Sequence, residues 1–93
     1  MTLLKNEEIK NALTSLKGWK QEENKIAKQF ELKDFKSALS FVNNIGEKAE
    51  EMDHHPDILI HSWNKVKIKI STHNEGGITK KDMQLAEKIQ KLV

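Results

Sequence analysis

The strongest constraint on the fold of this chain is an apolar repeat between residues 35 and 52. Apolar side chains recur there every three or four positions, at Phe35, Ala38, Leu39, Val42, Ile45, Ala49 and Met52. This spacing places them on one face of an α-helix, and Asp34 before it is a favourable N-cap residue. Pro56 cannot continue a helix and pushes the preceding residue out of helical geometry. One long helix that ends before Pro56 is therefore predicted.

Two pairs of β-strands are predicted, one on each side of this helix. The first pair comprises residues 19–22 and 25–32, and the second comprises residues 58–63 and 66–71. Apolar and polar side chains alternate in these segments, as in a half-buried sheet. The last strand shows two opposite faces, Val66, Ile68 and Ile70 on one and Lys65, Lys67 and Lys69 on the other. One face of the sheet is expected to be exposed to solvent or partly covered by another subunit.

A shorter helix is predicted near each end of the chain. The first is expected to have Asn6 as its N-cap and to be stopped by Gly18, and the last to begin at Thr79. The order α-β-β-α-β-β-α predicts an α+β fold, in which a four-stranded antiparallel sheet is covered on one face by three helices. The order of the strands within the sheet is left open.

Length and composition limit the classes of protein that this chain can represent. A chain of 93 residues is expected to form one domain, residues 1–93. Such a domain buries only roughly 60–65% of its unfolded surface, which favours a homodimer or homotetramer. The absence of cysteine excludes disulfides, thiol nucleophiles and thiolate zinc sites. There is no apolar run typical of a signal peptide or membrane span, so a soluble cytoplasmic protein without membrane association is expected.

The basic residues argue against direct recognition of a nucleic-acid sequence. All 16 are lysine, and they are scattered among 14 acidic residues. Bidentate readout of guanine and planar clamping of phosphate both favour the fixed fork of arginine. Direct nucleic-acid binding is therefore not expected.

All four histidines lie between residues 54 and 73. Histidine has an unperturbed pKa of about 6.5 and exchanges protons near neutral pH. Histidines beside carboxylates, in a chain without cysteine, indicate acid–base chemistry first and a metal site second. The adjacent His54 and His55 can hardly face one ion, and the spacing matches no established zinc pattern. His61 alternates with Ile60 and is expected on the wet surface.

Each candidate residue also has an ordinary structural explanation. His54 and His55 could simply favour a helix C-terminus electrostatically. Asp82 could serve only to cap the last helix. Glu50 could form an exposed helix pair worth about 0.3–0.5 kcal/mol, and Trp19 is expected to fill the core or an interface. The proline that directly follows the two histidines, and His73 at a strand end, favour a functional site instead.

Together these residues resemble the signature of pterin-4a-carbinolamine dehydratases. The signature consists of Glu50, His54-His55-Pro56, Trp63, Ser71-Thr72-His73 and Asp82. The likeness runs through almost the whole chain and includes Gly18-Trp19 and Asn64-Lys65-Val66. Two departures concern substrate fit more than fold. Ile58 stands where an aromatic residue is expected, and residues 56–63 form a stretch one residue longer than in animal members.

The resemblance implies removal of water from 4a-hydroxytetrahydrobiopterin, or a related 4a-hydroxy pterin, to give a quinonoid dihydropterin. No metal and no organic cofactor is implied. Animal members of the family also act as dimerisation cofactors of a homeodomain transcription factor, and some bacterial relatives that have lost histidines assist Rubisco assembly. A non-catalytic binding protein of the same fold is therefore the alternative, and the complete set of histidines favours the enzyme.

The resemblance also implies roles for individual residues. His54, His55 and His73 would surround the pterin. His54 and His73 would transfer protons, with acid and base left unassigned, and His55 would hold the ring. Glu50 would support His54, and Asp82 would orient His73 or fix the last helix. Two further supporting or substrate-binding residues are implied, namely Trp19 and Pro56.

Overall fold

The computed structural model describes residues 2–93, and the elements follow in the predicted order. They are α1 (Asn6–Leu13), β1 (Lys20–Glu22), β2 (Lys25–Glu31), α2 (Phe35–Met52), β3 (Asp57–His61), β4 (Lys65–Ile70), a single-turn 3₁₀ helix (His73–Glu75) and α3 (Lys80–Gln90). The predicted α+β class is confirmed. No helix within residues 2–93 is long and apolar enough to cross a membrane.

The four strands form one antiparallel sheet in the order β1-β2-β4-β3. The last strand in the chain is thus a central strand, and it joins the two predicted hairpins. In the register between β2 and β4, Ile26 lies opposite Ile70 and Phe30 lies opposite Val66. These side chains are buried against the helices. Burial of apolar surface on this face is the main force that holds the helical layer on the sheet.

The other face of the sheet carries ion pairs rather than a second apolar layer. The carboxylate of Glu22 lies 3.0 Å from Nζ of Lys67 and 3.5 Å from Nζ of Lys69. The hydrogen bond from Lys67 and both lysine charges hold the pKa of Glu22 below its usual value. Lys25 and Asp57 are paired at 2.8 Å. The alternating pattern in β4 therefore places its lysines on a polar face, as predicted.

Helix α2 packs on the sheet through a slightly different face from the predicted one. Its buried residues are Ala38, Phe41, Ile45 and Ala49. Phe41, which is not part of the predicted apolar stripe, packs edge-on against Phe30, with the ring centroids 4.9 Å apart. Phe35 and Leu39 remain 49% and 42% exposed. Each residue advances an α-helix by about 100°, so the stripe centred on the buried residues leaves Leu39 at its margin.

Three predicted boundaries of helices and strands differ in the structure. The N-cap of α1 is Lys5 rather than Asn6, and its backbone N–H donates to Oε1 of Glu8 at 2.7 Å. The helix ends at Leu13, and turns connect it to Gly18, which has a φ of 86°. Trp63 lies in the β3–β4 turn with a φ of 58°, because the strand before it ends at His61.

Candidate active site

The end of α2 determines where the two adjacent histidines lie. Asp53 follows the helix in the left-handed conformation, with φ 50° and ψ 47°. The backbone N–H of His54 then donates to the carbonyl of Ala49 at 3.0 Å, which is typical of a helix C-terminus. His54 is 8% exposed, whereas the side chain of His55 is 57% exposed. Of the two adjacent histidines, only His55 is therefore exposed at this helix end.

A buried carboxylate holds the imidazole of His54. Nε2 of His54 lies 2.5 Å from Oδ1 of Asp82, which is fully buried. Oδ2 of the same carboxylate accepts from the backbone N–H of Thr79 at 2.8 Å and from the hydroxyl of Thr72 at 2.9 Å. The predicted capping role of Asp82 is confirmed. Its other predicted role is wrong, because the carboxylate contacts His54 and not His73.

This arrangement decides which nitrogen of His54 can accept a proton. An ionised carboxylate only accepts hydrogen bonds, so Nε2 carries the hydrogen in the contact with Asp82. The other nitrogen, Nδ1, then has a free lone pair when the ring is neutral. Within residues 2–93 no buried side-chain nitrogen or oxygen lacks a partner. Since Nδ1 makes no hydrogen bond there, this atom keeps some exposure to solvent.

His55 is paired with Glu50 at the surface. Nε2 of His55 lies 2.5 Å from Oε2 of Glu50, and both side chains are exposed. The predicted contact between Glu50 and His54 is wrong. A residue four positions later would face Glu50 only if the helix continued, but α2 ends at Met52 and the left-handed Asp53 turns the chain.

His73 begins the single-turn 3₁₀ helix and is exposed. It directly follows Thr72, the residue whose hydroxyl donates to Asp82. The carbonyl of Thr72 accepts from the backbone N–H groups of Glu75 and Gly76 at 3.1 and 3.0 Å, which closes the turn. Thr72 therefore connects the turn that carries His73 to the carboxylate that holds His54. The predicted proton-transfer residues are brought to one region of the molecule.

Other predicted residues lie elsewhere or only border this region. Trp19 is 5% exposed, and its Nε1 donates to Oε1 of Gln90 at 3.1 Å. Gln90 ends α3, whereas Asp82 lies in its first turn, so Trp19 meets α3 about 12 Å from Asp82. Pro56 is half-buried immediately before β3. His61 lies on the polar face of the sheet, with Nε2 2.8 Å from Oε1 of Gln29.

The titratable side chains of this region are histidines and carboxylates. Within residues 2–93 no three histidine, aspartate or glutamate side chains converge as a metal site would require. Sequence reasoning gave no role to Thr72, although its hydroxyl contacts Asp82. The threonine stands in the Ser71-Thr72-His73 run, but a hydroxyl next to a histidine does not reveal which distant carboxylate it contacts.

Fold and site together define a class of small α+β proteins that carry a histidine–aspartate pair where the long helix ends. Residues 2–92 match the family model described as pterin 4 alpha carbinolamine dehydratase. The chain belongs to the pterin-4a-carbinolamine dehydratase family.

Relatives over nearly the whole chain agree with this family. A protein of Sulfolobus acidocaldarius is 46% identical over 89 residues, which cover 96% of this chain and 97% of the relative. A protein of Sulfurisphaera tokodaii is 43% identical over 93 residues, which cover 100% of this chain and 99% of the relative. Both relatives carry the provisional name pterin-4-alpha-carbinolamine dehydratase.

Solved structures show the same architecture. The crystal structure of a transcriptional coactivator/pterin dehydratase from Brucella melitensis superposes with a TM-score of 0.93 at 32% identity, over 98% of both chains. A pterin dehydratase-like RuBisCO assembly factor of the alpha-carboxysome superposes with a TM-score of 0.67 at 18% identity. That match covers 81% of this chain and 88% of the other. The second likeness concerns the fold alone.

Proposed function

We propose that this protein is a 4a-hydroxytetrahydropterin dehydratase that converts 4a-hydroxytetrahydrobiopterin, or a related 4a-hydroxy pterin, to the quinonoid dihydropterin. Membership in the dehydratase family supports the reaction class. The observation that carries the proposal is the contact between His54 and the fully buried Asp82, because it supplies a fixed imidazole with one open nitrogen.

The reaction requires two proton transfers, and the site offers a histidine for each. The bond between C4a and oxygen breaks when the hydroxyl is protonated and leaves as water, while loss of the N5 proton forms the C4a–N5 double bond. Neutral His54 accepts the N5 proton at Nδ1, and Asp82 stabilises the resulting imidazolium. Protonated His73, on its exposed turn, donates to the departing hydroxyl. One proton is taken and one is given, so the products are water and the quinonoid pterin.

His55 is assigned to substrate binding rather than to proton transfer. Its ring is exposed and is held by Glu50 at 2.5 Å, beside the residue that takes the N5 proton. A hydrogen bond or a ring contact from His55 to the pterin would be present before and during the reaction. Such a contact lowers KM without raising kcat.

The proposal is tested with a freshly generated 4a-hydroxytetrahydropterin. Dehydration is followed by the absorbance of the quinonoid product, with and without the protein. The protein is expected to accelerate the reaction over its spontaneous rate in proportion to its concentration. Tight binding of the pterin without acceleration would favour the alternative of a non-catalytic binding protein of the same fold.

Dehydration is expected to survive exhaustive chelation. The proposed groups are proton carriers and need no metal, so treatment with EDTA followed by dialysis should leave kcat/KM unchanged. The measurement is the same absorbance assay, and a control sample receives zinc after dialysis. Loss of activity on chelation that zinc restores would show that a metal takes part and would contradict the assignment of His54 and His73.

We further expect a homodimer or homotetramer, joined through helix faces or sheet edges. Phe35 and Leu39 are four residues apart on one side of α2 and are 49% and 42% exposed. Sedimentation velocity at micromolar concentration should show an oligomer, and the double substitution Phe35→Ser/Leu39→Ser should reduce its size if α2 forms the contact. Leu59→Ser, at a 57% exposed position on the edge strand β3, tests the alternative contact through a sheet edge. A wild-type monomer would contradict the expectation.

A further inference from the structure

We infer that Thr72 is a positioning residue for the reaction, and that its hydroxyl orients the Asp82 carboxylate, which in turn holds the ring of His54. The inference rests on the proposed dehydratase function. The hydroxyl oxygen of Thr72 lies 2.9 Å from Oδ2 of Asp82 and 2.7 Å from the hydroxyl oxygen of Thr79. The carboxylate of Asp82 and Thr79 are fully buried, so loss of one of these contacts would leave a buried polar group without a partner.

Counting donors gives these hydrogen bonds a direction. A hydroxyl has one hydrogen to donate, and an ionised carboxylate has none. Thr72 therefore donates to Asp82, and Thr79 must donate to Thr72. The oxygen of Thr79 in turn accepts from the backbone N–H of Lys81 at 3.2 Å, at the start of α3. The chain of hydrogen bonds thus begins at the N-terminus of α3 and ends at the carboxylate, which fixes its direction.

This chain of hydrogen bonds reaches His54 through the two oxygens of the Asp82 carboxylate. Oδ2 is filled by two donors, the hydroxyl of Thr72 and the backbone N–H of Thr79, while Oδ1 faces Nε2 of His54. A carboxylate held in this orientation can only accept from His54. The neutral ring must keep its hydrogen on Nε2 and leave Nδ1 open for a proton. Without the hydroxyl of Thr72, Oδ2 keeps only the backbone N–H of Thr79, so the carboxylate and the His54 ring that it holds are less firmly oriented.

Thr72 is suited to substitution because its role can be separated from folding. Its backbone is extended, with φ −93° and ψ 102°, which the β-branched isostere valine adopts readily. Thr72→Val removes the hydroxyl and keeps the shape of the side chain, whereas Thr72→Ser keeps the hydroxyl. Ser71→Ala is the matched control, since it removes the neighbouring hydroxyl and the described residues show no hydrogen bond to it.

The first measurement is nitrogen NMR of the histidine rings in the ligand-free protein. In the wild type, Thr72→Ser and Ser71→Ala, the His54 ring is expected to show one tautomer with hydrogen on Nε2. In Thr72→Val the Nε2 signal of His54 is expected to shift, because the carboxylate that accepts its hydrogen is less firmly oriented. This readout does not depend on catalysis, so it tests Thr72 even if the protein fails to dehydrate a pterin.

The second measurement is the separation of kcat from KM. Thr72→Val should lower kcat by about tenfold or more, as for other residues that orient a functional ligand, and leave KM within about twofold. Thr72→Ser should restore kcat. A folded Thr72→Val protein with wild-type ring signals and kcat would overturn the inference. Shifted ring signals in a protein without dehydratase activity would preserve the role of Thr72 and reject the proposed function.

Discussion

Alanine at His54 or at His73 is expected to lower kcat/KM for the 4a-hydroxy pterin by about 10²-fold or more, because each substitution removes one acid–base group. The double substitution should cost less than the product of the two single losses, since the two residues act as a unit. His55→Ala should mainly raise KM, because it removes a contact made equally in the ground state and the transition state. Steady-state dehydration of a freshly generated substrate measures all four variants.

The His54 variants need a separate control for folding. His54→Ala leaves Oδ1 of the buried Asp82 without its side-chain donor, so part of any loss could come from instability. His54→Gln returns an amide N–H to this region but offers no comparable base. Circular dichroism should show that each variant is folded. Folded His54→Ala and His73→Ala proteins with the wild-type rate would reject the proton-transfer mechanism and favour a binding protein.

Asp82→Ala is expected to lower the free energy of unfolding by about 3 kcal/mol or more, because each buried donor left without its acceptor costs about 1–3 kcal/mol. Three donors lose their acceptor together, namely the ring of His54, the hydroxyl of Thr72 and the backbone N–H of Thr79. Dehydration should also fall steeply, because the imidazolium of His54 loses its counter-charge. Urea denaturation at neutral pH measures the stability.

Asp57→Ala is the matched control for this loss. Asp57 is also an aspartate paired with a basic side chain, Lys25, but its side chain is 70% exposed. An exposed ion pair contributes about 0–1 kcal/mol, so this variant should unfold near the wild-type midpoint. If Asp82→Ala were no less stable than Asp57→Ala, the buried network would not be the structural centre described above.

The local elements were predictable because their signals are short-range. The apolar repeat and Pro56 predicted α2, which ends at Met52, and the alternation of lysine with valine and isoleucine predicted the two faces of β4. The capping of α3 by Thr79 and Asp82 followed from a spacing of three residues. The resemblance to the dehydratase family identified the histidines as candidates. Each of these inferences depends on neighbours within a few residues or on a known signature.

The partners of the site residues were not predictable in the same way. Glu50 was expected to support His54, and Asp82 to orient His73 or fix the last helix, whereas the structure pairs Glu50 with His55 and Asp82 with His54. One left-handed residue, Asp53, causes the first change, since it turns His54 inward and His55 outward. Backbone conformation at a single helix end is weakly encoded in the sequence, because residues other than glycine reach it only with help from their surroundings.

The sequence by itself determined the order of the elements, the polar and apolar faces of the sheet, and the histidines on which the proposed chemistry depends. Tertiary structure decided that β4 lies between β2 and β3 and that Phe41 rather than Leu39 enters the core. It also decided that Thr72, Asp82 and His54 meet in one buried network. The physical reason is the separation along the chain over which each interaction acts. Periodicity and capping act between neighbours in the chain, whereas strand order and a hydrogen bond across 28 residues form only when the helical layer packs on the sheet.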